Sequence, residues 1–116
     1  MQLVVNVAAG FLILVCVVSA LGDVAKVPSL VDTMTRLGIP AQFLPVLGAI
    51  KVVLALAAAI GFAVNGVAIA AAGGLVIYFA GAVIAHTRVK DSLRDSGAAF
   101  VLLAVSGFYL LTALAV

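Results

Sequence analysis

Charge is scarce in this chain. Charged residues fill 9% of its 116 positions, against roughly a quarter in an ordinary soluble domain. With 67% of positions hydrophobic, the composition excludes a water-soluble fold and places the chain in lipid. Cysteine occurs once, as Cys16 inside an apolar run, which excludes an internal disulfide and any CxxC redox pair. Spacings for metal ligands, a nucleotide-binding glycine loop and a Ser/His/Asp set are all missing, so no metal site is expected. The formal charge of +2 is small and local, which removes nucleic acid from the expected partners. No Lys or Arg precedes Lys26. A secretory leader begins with a basic region, so the first apolar run is expected to be a membrane span.

Four apolar runs are present: Leu3–Gly22, Phe43–Val64, Val67–Ala85 and Ala98–Val116. Each has about the 20 residues that a helix rising 1.5 Å per residue needs to cross roughly 30 Å of hydrocarbon. A helix satisfies its own backbone hydrogen bonds, so lipid selects it. The expected fold is therefore all-α, one integral membrane domain over residues 1–116 built as a four-helix bundle. Asn65-Gly66 is read as the turn that makes the second and third spans antiparallel neighbours.

Between the first two spans, Val27, Leu30, Val31, Met34 and Leu37 recur at three- and four-residue intervals among polar residues. This spacing predicts a short amphipathic helix over 28–37, with Pro28 in its first turn and Gly38 as its stop, lying in the membrane interface. A partner-binding helix is the competing reading. Asp95 or Ser96 is placed to cap the fourth span.

Lys26, Arg36, Arg88, Lys90 and Arg94 all fall in the first and third connections, as do Asp23, Asp32, Asp91 and Asp95, counting the ends of the adjoining spans. By the positive-inside rule these connections face the cytoplasm and both termini face outward. Any polar site is then expected on the cytoplasmic side.

In lipid, helices approach closely where small residues permit it. Ala70, Gly74 and Gly81 on the third span and Gly48, Ala55, Ala58 and Ala59 on the second are the candidate contact stripes. Lys51 lies about 8 positions into the second span, roughly 12 Å below its cytoplasmic end. A charge near the bilayer centre costs about 3 kcal/mol on insertion scales. Lys51 either snorkels to the surface without a role or turns inward, where Asp23 is its best charged partner and Ser19 can contribute. His86 ends the third span on the same side. As an imidazole it can relay protons or bond a ligand carbonyl, or it can simply compensate a helix C-terminus. Lys51, Asp23 and His86 together sketch a pocket for the polar head of a lipophilic molecule. Tyr78 and Tyr109 lie within their spans and are expected chiefly to pack. Cys16, with no basic neighbour in sequence, is not expected to be a catalytic thiol.

The chain resembles the DoxX-like family of small bacterial four-helix membrane proteins over nearly its whole length. The resemblance is carried by Val24-Ala25-Lys26-Val27, Leu37-Gly38-Ile39-Pro40, Leu47-Gly48-Ala49-Ile50-Lys51 and Gly81-Ala82-Val83-Ile84-Ala85-His86, in that order and spacing. It implies a four-helix membrane bundle with Lys26, Lys51 and His86 as the polar positions carried over. It also implies an association with membrane redox systems, including quinone-linked sulfur oxidation. The single cysteine departs from any thiol-based member. The leading expectation is a non-catalytic binding or accessory subunit. It would hold a quinone or lipid, or dock on a larger membrane complex or a second copy of itself. The alternative is a subunit of a quinone-linked oxidoreductase whose partner supplies the redox centre. Ion transport is disfavoured, because the outer halves of the spans offer no charged path.

Overall fold

The computed structural model describes residues 2–26, 28–89 and 93–116, apart from the side chains of Ala41 and residues 93–95. Among the described residues five α-helices follow one another: α1 Gln2–Ala25, α2 Pro28–Leu37, α3 Leu44–Gly61, α4 Asn65–Arg88 and α5 Leu93–Ala115, with one 3₁₀ turn, Ala41–Phe43, before α3. α1, α3, α4 and α5 are each long and apolar enough to cross a membrane. They close a ring in which α1 packs on α3 and α5, and α4 packs on α3 and α5. The particle measures 40 × 25 × 17 Å, and its long axis suits a bilayer core of about 30 Å with its interfaces.

Between 28% and 33% of each spanning window is buried inside the protein. The remainder, including Leu3, Val7, Leu14 and Leu21 along one side of α1 and Ile77 on α4, is apolar surface that only lipid accommodates. The chain is a multi-pass membrane protein with an alanine-rich interior. Ala8, Ala9, Ala55, Ala58, Ala68, Ala71, Ala72 and Ala113 pack around Leu12, Leu75 and Tyr109, so the backbones come close together without a hydrophobic driving force.

The helices outrun the expected spans at the basic end, where α1 reaches Ala25 and α4 reaches Arg88. Nothing in the sequence stops a helix as it leaves the hydrocarbon until Lys26, whose φ of 53° ends α1. At the other end, the α3–α4 turn differs from expectation. Asn65 and Gly66 open α4, and the turn is made by residues 62–64. The amides of Phe62, Ala63 and Val64 donate to Ala59 and Ile60 carbonyls, and Val64 in extended geometry receives the first amides of α4. Asn65 is consumed by a tertiary bond, its Nδ2 donating to the Ala113 carbonyl at 3.0 Å. Gly66 needs no positive φ. α5 begins at Leu93, so Ser96 sits inside its first turn rather than capping it. The Asp95 side chain lies outside the described residues, as do Lys90 and Asp91.

The small-residue stripes are also revised. On α3, Gly48, Ala55 and Ala58 are buried as expected and Ala59 is exposed. Gly48 is close enough to α1 that a Cβ would meet Ala20, Asp23 and Val24 at 3.3 Å. On α4, Ala70 is exposed, and the buried face is instead Ala68, Ala71, Ala72, Leu75 and Phe79. A Cβ on Gly74 would lie 2.6 Å from Leu54, whereas one on Gly81 would meet nothing within 4 Å. α3 and α4 are thus pressed together at Gly61–Ala68 and Gly74–Leu54 and stand apart at Gly81.

α2 has the bounds read from the sequence and ends in a Schellman arrangement. Gly38, at φ 75°, donates to Thr35 at 3.1 Å, and Ile39 donates to Met34 at 3.0 Å. The bilayer is not the only cover for its apolar face, since Met34 and Leu37 are buried against the bundle. Arg88 secures it from α4, donating to the Leu37 carbonyl at 3.1 Å.

Candidate ligand cavity at the basic end

Where α3 and α4 separate, a cavity of about 620 Å³ opens inside the ring beneath α2. Its volume is in the usual range for small-molecule sites, about 300–1,000 Å³. Its walls are apolar for the most part, and its polar groups are gathered at two levels.

The inner level is built on two adjacent helices. Ser19 and Asp23 stand one turn apart on α1, and Lys51 reaches them from α3 across the close approach at Gly48. Lys51 Nζ donates to Asp23 Oδ2 at 2.7 Å and to Ser19 Oγ at 2.6 Å. Both charged residues are buried, Lys51 at 9% and Asp23 at 2% exposure, so the lysine points inward instead of snorkelling. The physical reason is compensation: a desolvated ammonium persists where a carboxylate and a hydroxyl replace its water. On the α4 side, the Tyr78 ring faces Lys51 Nζ with its centroid at 5.6 Å, adding a cation–π contact. Phe79 meets Tyr78 edge-on, with ring centroids 5.3 Å apart, and fixes its plane.

The outer level carries His86, half-buried in the last turn of α4, and Thr33 on α2. His86 is eight residues beyond Tyr78, or roughly 12 Å along the helix. α2 forms the roof with Leu30, Met34 and Leu37.

The structure therefore brings Lys51, Asp23 and His86 to one cavity and leaves Lys26 outside it. Lys26 is exposed and does not line the cavity; its distinction is the left-handed backbone that ends α1. Two lining residues had little weight in the sequence. Cys16 is 1% exposed and lies one turn below Ser19 on the cavity wall. Tyr78 could have been found by asking which ring a buried cation faces. Tyr109 is fully buried, and its hydroxyl has no hydrogen-bond partner among the described residues. It is a packing residue away from the cavity. Among the described residues no group of His, Cys or Asp is arranged to hold a metal ion.

The arrangement can bind a molecule by its head. Two of the three ammonium donors of Lys51 are used, and Asp23 meets it through one oxygen, so a donor and an acceptor remain for a guest. In comparisons with known proteins, the model of the DoxX-like family matches residues 7–109. No curated protein and no solved structure gives a match.

Proposed function

The chain belongs to the DoxX-like family, and from that premise we propose that it is a non-catalytic binding or accessory subunit that holds a lipophilic small molecule, a quinone or a lipid. The guest's polar head would sit against Lys51, Asp23 and Ser19, and its apolar body would fill the rest of the cavity. One observation carries this reading: a charged pair at 2.7 Å is buried in the wall of a mostly apolar cavity, where a structural role alone would be served as well by apolar side chains. The basic end is assigned to the cytoplasm of a bacterial inner membrane by the positive-inside rule, which puts the cavity in the cytoplasmic leaflet. A larger membrane complex or a second copy of the chain is the expected protein partner.

The second reading is a subunit of a quinone-linked oxidoreductase whose redox centre belongs to a partner. Its support is that His86, a proton-relaying side chain type, lines the same cavity as Lys51 and Tyr78.

The test is an organic extract of the protein purified from its own membrane, analysed by absorbance and mass spectrometry beside Lys51→Ala. A quinone or lipid enriched with the unaltered chain and lost from the variant is the expected result. Identical extracts from both would overturn the reading.

A further inference from the structure

We infer that the Lys51–Asp23 pair is a charge filter: the cavity takes an uncharged amphiphile with a hydroxyl or carbonyl head, received from the lipid through the gap between α3 and α4, and rejects heads of net charge. This rests on the reading that the cavity holds a lipophilic guest, and it goes further by naming the guest's head chemistry and its route.

The charge argument begins with the pair itself. The inner level holds one cation and one anion in contact at 2.7 Å, so its net charge is zero. Its remaining lining is Cys16, Ser19, Tyr78, Phe79 and aliphatic side chains. Among the described residues the other charge-bearing groups stand away from this level: His86 is about two turns farther along α4, and Lys26, Asp32, Arg36 and Arg88 are exposed. A carboxylate or phosphate head would find Lys51 already neutralised by Asp23 and would bring in an unpaired ion stripped of water. A cationic head would meet Asp23 already engaged. A hydroxyl or carbonyl brings no net charge and can accept from the remaining ammonium proton, and a hydroxyl can also donate to the free oxygen of Asp23. The Tyr78 ring, set edge-on against Phe79 and facing Lys51, offers a flat surface for a planar head.

The route follows from the divergence of two helices. α3 and α4 are in contact at Gly61–Ala68 and at Gly74–Leu54, and at Gly81 there is open space. Just past Gly74, toward the basic end, Ile50 and Ile77 line the cavity while being 41% and 75% exposed. Side chains that face both the cavity and the lipid mark an opening to the lipid. The aqueous side is roofed by α2, whose Met34 and Leu37 are buried and whose end is held by Arg88.

The experiment uses the full chain in nanodiscs of zwitterionic lipid and three probes that share one diazirine-bearing alkyl tail. One probe ends in a hydroxyl, one in a carboxylate and one in a trimethylammonium group. After photolysis, adducts are mapped by peptide mass spectrometry. The hydroxyl probe is expected to label buried cavity residues such as Cys16, Met34 and Leu44 by about tenfold or more over either charged probe, since an unpaired ion there loses its hydration. In Asp23→Asn, which leaves Lys51 uncompensated, the carboxylate probe should become the preferred one. Equal labelling by all three probes, or preference for a charged one in the unaltered chain, would overturn the filter and leave the binding role standing. No cavity labelling by any probe would overturn the binding role and the filter together. The ranking in the unaltered chain decides the matter even if Asp23→Asn does not fold.

Discussion

Replacing Asp23 with alanine should be among the most destabilising single changes in this protein, and its size can be worked from the geometry. Asp23 is 2% exposed and Lys51 9%, so little solvent screens their 2.7 Å contact. Without the carboxylate, the ammonium keeps only the Ser19 hydroxyl at 2.6 Å and the Tyr78 ring at 5.6 Å. Breaking a buried pair from one side costs about 3–5 kcal/mol, chiefly because the remaining charge is uncompensated. The lysine stem can partly relieve this by reaching toward the basic end, which places the expected loss near about 3 kcal/mol. The double variant Asp23→Leu with Lys51→Met removes both charges and retains volume. It should lie within about 1 kcal/mol of the unaltered chain or above it, as apolar replacements of buried pairs do. The assay is reversible unfolding in mixed dodecyl sulfate micelles, followed by helix circular dichroism, for the two single variants and the double. An Asp23→Ala protein as stable as the original would refute the reasoning. So would a double variant that loses the sum of the two single losses, since either result means that the two residues are not energetically coupled.

Other consequences concern the frame. Gly61→Val should weaken the α3–α4 hairpin by about 1–3 kcal/mol in the same assay, because even a Cβ there would lie 2.7 Å from the Ala68 Cα, a backbone atom that cannot turn away. Tyr109→Phe should leave stability unchanged or raise it by up to about 1 kcal/mol, since the hydroxyl it removes is buried and has no partner among the described residues; a clear loss would mean that the hydroxyl is bonded. Lys26→Gly should stabilise by about 1 kcal/mol by relieving a side chain held at positive φ, without altering what the cavity binds; loss of a bound molecule would return Lys26 to the site.

The spans and the short helix were legible because hydrophobic length and three-to-four spacing are one-dimensional signals. The partner of Lys51 was legible for a related reason: a deep charge demands an opposite one, and Asp23 is at the right depth on the neighbouring span. Which alanines face inward was not legible. Ala70, exposed, and Ala71 and Ala72, buried, are chemically identical, and only the rotation of α4 separates them. Asn65-Gly66 marked α3 and α4 as neighbours correctly but not the turn itself, because a turn signal and a tertiary hydrogen bond use the same side chain, and here the bond to Ala113 prevails. The cavity itself depends on the divergence of α3 and α4 past Gly74. That divergence is a property of how the four helices sit together, and no local pattern encodes it.

The measurement closest to the central claim is native mass spectrometry of the protein released gently from its own membrane, comparing the unaltered chain with the double variant Asp23→Leu and Lys51→Met. The account predicts a small lipophilic molecule on the unaltered chain and none on the variant, with both folded. The same molecule on both, or a protein partner on both with no small molecule, would contradict it.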